Sequence, residues 1–278
     1  MKWRKVFVGL ATALLIAVWA AGIKYPSSLL AEGIFASTPA LLMWLGVVVA
    51  AALLLLARVD ELPGTVFKLF PCAVAVNVLI GWLFRAWELP FYFDSIGTGI
   101  AAIVGGPLLG MATGAASGAV MALGAPGDLA FASVGALAGV LFGWAAKRQW
   151  CSSVLRILAA GWLIGLTTAL ASCPPRLWPQ PETNAAGLRH LTDFYFLLSR
   201  HQGFSTVMQV LTSDTIDKIF CLLLAGVLLR TLPAALQLRL SYGGNVERLG
   251  GLLRAPDEAE RAREQMRAYQ RHTLQTGR

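Results

Sequence analysis

Residues Phe93 to Gly124 read FDSIGTGIAAIVGGPLLGMATGAASGAVMALG. The run is apolar and dense in Gly and Ala. It opens on an acidic residue, Asp94, and is broken once, at Gly105-Gly106-Pro107. A helix needs about 20 residues to cross hydrocarbon, so the run crosses once with residues to spare, or twice in short, tilted pieces. The break adds backbone freedom and removes a helix donor where a turn can sit. The stretch therefore predicts a short helix from about Phe93 to Val104, a tight turn, and a second helix from about Pro107 to Leu123. Pro107 would stand in the first turn, where a proline is tolerated. Gly110, Gly114 and Gly118 recur at every fourth position, a face on which another helix can approach closely.

The rest of the chain agrees with a membrane setting. Of its 278 residues 56% are hydrophobic and only 14% charged, against about 25% charged in a soluble domain. Several windows of about 18 residues carry no charge, which is the transmembrane signal. The net charge of +8 reads as topology, because the basic residues cluster beside the apolar runs. Nucleic-acid binding would need a basic face on a folded soluble domain, and none is visible. The four cysteines, Cys72, Cys151, Cys173 and Cys221, show no CxxC spacing, so neither a zinc site nor a disulfide framework is implied.

In chain order, basic residues Lys2, Arg4 and Lys5 precede an apolar run from Val6 to Ile23. A signal peptide is the competing reading, since the run ends on Ala-Ala-Gly, but its length favours a retained first helix. Gly9, Ala13, Ala17 and Ala21 lie four apart, as a packing seam or as the Ala-rich surface of a lipid-facing helix. Further helices are expected at about Pro39–Ala57, Leu69–Phe84, Leu129–Ala146, Val154–Ala171 and Asp214–Leu232. The long polar section Ser172–Ser213 is expected to hold one surface helix, Ala185–Ser199. Placing the amino terminus in the cytoplasm puts Arg58–Lys68, Lys147–Arg156 and the Arg-rich tail inside, as the positive-inside rule demands. This works only if Phe93–Leu123 crosses twice. The expectation is an all-α, polytopic bundle of about eight membrane segments in a bacterial inner membrane, with both termini cytoplasmic.

The residues Asn77, then Asp94-Ser95-Ile96-Gly97-Thr98, then Gly106-Pro107-Leu108-Leu109-Gly110 and Gly114 together resemble the substrate-binding S components of energy-coupling factor (ECF) transporters. In that family an acidic residue opens a short helix and a Gly-Pro-x-x-Gly motif starts the next. Ser213-Asp214-Thr215-Ile216-Asp217-Lys218 resembles the start of the family's last helix in one branch. The resemblance covers roughly Phe67 to Leu236 and implies a six-helix core over 67–240. Two additional helices (1–66) precede it and a soluble charged tail (241–278) follows. It also implies capture of a vitamin-like small molecule from the outer side, for uptake with a transmembrane coupling subunit and ABC ATPases. None of the lysines follows a glycine, so no Walker A end is present, and an ATP-driven step would come from those partners. The rival expectation is a membrane sensory or accessory subunit that recognises a ligand or lipid and docks a partner through its tail.

Ionisable groups at membrane depth are costly and tend to be functional. Asp94, Asp214, Asp217 and Lys218 are therefore candidate solute contacts, with Asn77 in mid-helix and Thr98 one turn into the short helix. Trp82, Arg85, Glu88 and Tyr92 line the neighbouring aromatic loop, and aromatic walls with a few polar groups suit a flat ligand. Structural roles compete with each. Asp94 and Asp214 precede helices and suit N-caps. Asp214 and Lys218, four apart, suit a mutual ion pair, Asn77 an interhelical hydrogen bond, and the aromatic loop an interface belt. Gly97-Thr98-Gly99-Ile100-Ala101-Ala102 fits G-x-G-x-x-A but lacks the βαβ context of a dinucleotide site. His190, His201 and His272 are too dispersed for a metal, and no nucleophile elbow occurs. No catalytic residue, cofactor or metal is expected. Pro256 to His272 reads as an exposed helix, with acids leading and arginines following.

Overall fold

The computed structural model describes residues 2–29, 33–177, 186–233 and the single positions 236, 240 and 264. Nine α-helices order the described residues: α1 (Lys2–Lys24), α2 (Thr38–Leu56), α3 (Gly64–Ala86), α4 (Ile96–Gly105), α5 (Pro107–Gly124), α6 (Leu129–Lys147), α7 (Val154–Leu177), α8 (Ala186–Ser199) and α9 (Gln202–Thr231). Six of them, α1, α2, α3, α5, α6 and α7, are long and apolar enough to cross a membrane. The chain is a multi-pass, all-helical membrane protein. The tail helix expected at Pro256–His272 lies outside the described residues.

The expected hairpin is present. α4 stops at Gly105, Gly106 takes φ +85, and Pro107 opens α5. A side chain at Gly106 would be strained at that φ. α4 has ten residues, about 15 Å of helix at ~1.5 Å per residue, which is half a bilayer core. All of it except Ile100 is buried. It does not face lipid but descends inside the bundle, after the extended segment that follows α3.

The row Gly110, Gly114 and Gly118 of α5 lies against Gly139, Gly135 and Ala132 of α6, so closely that a Cβ at any of the three would overlap α6 backbone. On α1 the small-residue reading fails. Ala13, Ala17 and Gly9 are exposed and Ala21 is only half-buried. The inward stripe is Ala11, Leu15, Val18 and Gly22, which packs with α2 on Ala112, Ala115 and Ala119 of α5 and Ala130 and Ala132 of α6. Trp19 Nε1 also donates to the carbonyl of Ala171, and Ser133 Oγ to that of Leu15. The first two helices are thus fastened to the outside of the α5–α6 pair. A second core gathers α3, α4, α6, α7 and α9 around Ile103, Phe142, Ile164 and Leu222.

Several helix limits move outward from the expected ones. α7 runs through Pro174 and Pro175 to Leu177. α9 begins at Gln202, twelve residues before Asp214. Asp214 is therefore not an N-cap but a mid-helix residue, and the polar section is mostly helical.

The bundle has two distinct ends. At one, Arg58 donates to the carbonyl of Gly105 at 3.1 Å and pairs with Glu61, which also holds Arg4. At the other, Arg85 pairs with Asp128 at 2.6 Å, and Arg176 donates to the hydroxyl of Tyr92.

Candidate functional site

Near the Tyr92 end the extended segment after α3 turns into the bundle. Glu88 and Phe93 both take positive φ, +55 and +49, a costly region for residues with a side chain. Contacts hold the turn in place. The Phe93 amide donates to Asp217 Oδ1 at 2.6 Å, and its ring packs between Phe84 and Phe220. The segment thereby delivers Tyr92, Asp94 and Ser95 to a cavity of about 90 Å³.

Asp94, Ser95 and Thr98 line the cavity on the α4 side, Ser117 and Met121 come from α5, and Phe131 and Val134 from α6. Ser172 and Arg176 reach it from α7, and Asp214 and Lys218 from α9; Arg85 and Asp128 close the rim. Three acids and three bases meet in one small space. Lys218 Nζ donates to Asp217 Oδ2 at 2.5 Å and to Ser95 Oγ at 3.0 Å, with Asp94 Oδ1 at 3.8 Å. Asp217 is fully buried behind Lys218 and does not line the cavity. The arginine of α7 is sandwiched: Arg176 Cζ lies 5.5 Å from the Tyr92 ring centre and 4.6 Å from that of Phe131. Loss of water pushes the Tyr92 phenol up to about 12, although the Arg176 guanidinium pulls the other way. The phenol is therefore neutral at any physiological pH.

The expected Asp214–Lys218 pair does not form. Lys218 is taken by Asp217, one residue away, while Asp214 accepts a hydrogen bond from Ser172 Oγ at 3.2 Å. Asn77 does not line the cavity. It is fully buried and completely engaged: its amide nitrogen donates to Thr98 and Ser117, and its Oδ1 accepts from the Gly97 and Thr98 amides. Those two amides belong to the first turn of α4, which has no side-chain cap of its own. Asn77 caps α4 from the neighbouring helix, doing for its free N–H groups what an N-cap normally does. The capping role expected for Asp94 thus falls to Asn77, and Asp94 turns toward Ser95 and Lys218. Trp82 and Glu88 are exposed and stand outside the cavity.

The structure brings together Arg85, Tyr92, Asp94, Thr98, Asp214 and Lys218 of the residues singled out by sequence, with Asp217 just behind them. It adds Asp128, Ser172, Arg176 and Phe131, which sequence reasoning missed. Asp128 and Arg176 directly follow the pairs Pro126-Gly127 and Pro174-Pro175, where a loop was expected. The available signal was charge balance: each is a lone charge at the end of the bundle where Arg85 and Asp94 must find counterions. Among the described residues no group of three or more His, Cys, Asp or Glu is placed to hold a metal.

Comparison with protein-family models, with curated proteins and with solved structures finds no match to this chain. Fold and site together define a class: a multi-pass helical membrane protein with a charged cavity inside its bundle.

Proposed function

We propose that the chain is a membrane-embedded solute-binding protein of the S-component type, which captures a small polar solute at the Tyr92 end. One observation carries the reading: charged and hydroxyl side chains from α4, α5, α7 and α9 converge on a single internal cavity. Ionisable residues at membrane depth persist where they line a pathway or a site.

Cavity size bears on the solute. Pockets for drug-sized ligands run to about 300–1,000 Å³, well above the 90 Å³ here. The cavity as it stands seats a small solute, or the polar head of a larger one, and is too small for a whole vitamin. The positive-inside rule assigns the Tyr92 end to the outer face. Uphill uptake would then draw on a partner coupling subunit and its ATPases, because the chain has no Walker A motif.

The test fills the cavity. Val134 is nearly buried and faces it from α6. Protein purified in lipid nanodiscs is denatured, and the released small molecules are identified by mass spectrometry. The wild type should release a bound polar molecule that Val134→Phe lacks. Identical release from both proteins would overturn the reading.

A further inference from the structure

We infer that the solute carries a positively charged nitrogen, and that Asp214 is its counterion; this deepens the solute-binding reading and rests on it. Asp214 is 6% exposed, and the little surface it keeps opens into the cavity. A buried carboxylate is normally paired with a cation. Among the described residues Asp214 has no cation within ion-pair distance. Its one hydrogen bond comes from Ser172, a neutral hydroxyl.

The neighbouring charges are already engaged. Arg85 is 2.6 Å from Asp128. Lys218 is held by Asp217, Ser95 and Asp94, and it makes no ion pair with Asp214 although the two residues lie one helical turn apart. Arg176 is fixed between the Tyr92 and Phe131 rings and donates to the Tyr92 hydroxyl. Asp214 is thus the lining carboxylate left with capacity for a visiting cation. Hydroxyls on the cavity wall specify the cation further. Ser172 and Thr98 offer oxygen acceptors on the same cavity, which suits a nitrogen with N–H groups to donate. A compact protonated amine or amidine fits this lining; a quaternary ammonium, having no N–H to donate, leaves those oxygens unused.

Full-length protein in nanodiscs is challenged with two panels, read by thermal shift and by equilibrium dialysis. The first holds methylammonium, ethanolamine and putrescine. The second holds ethylene glycol and acetate. At least one amine should bind the wild type, and neither member of the second panel should. Asp214→Asn keeps the size and the Ser172 contact but loses the charge. It should weaken the amine at least about tenfold, as expected for a charge-assisted hydrogen bond, while its melting temperature without probe stays near that of the wild type. Val134→Phe should abolish binding. If no amine binds, or if Asp214→Asn binds it as tightly as the wild type, the inference is wrong. If ethylene glycol or acetate binds and Val134→Phe removes it, solute binding stands and the cation assignment falls. If Val134→Phe changes the binding of no probe and the small molecules released on denaturation are also unchanged, the solute-binding reading itself falls.

Discussion

At the scale of single residues, Lys218 shows how an apolar bundle tolerates charge. Its side chain is 9% exposed, and that of Asp217 is wholly buried. Neither ion would be stable there alone, and removing one partner of a buried pair costs about 3–5 kcal/mol. Lys218→Met should therefore lower the melting temperature in detergent sharply, because buried Asp217 is left without its ion-pair partner beside the Phe93 turn. Adding Asp217→Asn should recover most of the loss. A double variant as unstable as the single one would show that packing, not charge, sets the cost.

Tyr92 gives a second residue-scale prediction. Its folded-state pKa of about 12 lies above the ~10 of a free phenol. A phenol shifted this way lends stability that is full below about pH 10 and is lost as pH rises through 12. Tyr92 should give its tyrosinate absorbance near 295 nm only as the pH approaches about 12. In Tyr92→Phe that step should vanish.

At the scale of helices, close approach between α5 and α6 is what fixes the pair. Lipid tails are as apolar as leucine, so packing rather than the hydrophobic effect must hold membrane helices together. A methyl at Gly114 would meet the Gly135 carbonyl, and backbone cannot step aside as a flexible side chain can. Gly114→Ala should push α5 and α6 apart and lower both folded yield and melting temperature. Gly9→Ala is the matched control. Nothing lies within 4 Å of that position, and alanine is the better helix former by roughly 1 kcal/mol, so stability should hold or rise slightly. Similar losses in both variants would remove the packing account.

The same pair explains what the sequence could and could not disclose. The fourfold glycine spacing on α5 was readable because glycine has no other reason to recur within a helix. The alanines of α1 carry no such message, since alanine suits a lipid face and a packed face equally. The true stripe, Ala11, Leu15 and Val18, has no small-residue rhythm to betray it. Helix ends failed for a related reason. Pro174 and Pro175 would stop a helix in water, but neighbouring helices re-satisfy the freed backbone groups in a membrane, so α7 continues and carries Arg176 into the site. Asp94, Asp214 and Lys218 were legible because a charge within an apolar run stands out; Asp128 and Arg176 were hidden by turn-forming neighbours.

At the scale of the whole molecule, the two ends are built differently, and this makes orientation testable. The chain from α3 to α5 returns to the Tyr92 end only because it reverses at Gly106. The Arg58 contact with the Gly105 carbonyl pins that reversal to the opposite end. Asp60 and Arg148 are exposed at the Gly106 end, and Glu88 and Arg200 are exposed beyond helices that end near the cavity. In a cysteine-free background, Asp60→Cys and Arg148→Cys should share one accessibility to a membrane-impermeant maleimide, and Glu88→Cys and Arg200→Cys the other. With basic residues retained inside, intact cells should label the Glu88 and Arg200 positions, and inverted vesicles the Asp60 and Arg148 positions. The reverse pattern would leave the fold intact but turn the cavity toward the cytoplasm, which would exclude capture from outside. Labelling of Asp60→Cys and Glu88→Cys from the same face would contradict α3 as a crossing helix, and with it the placement of the cavity near one surface of the membrane.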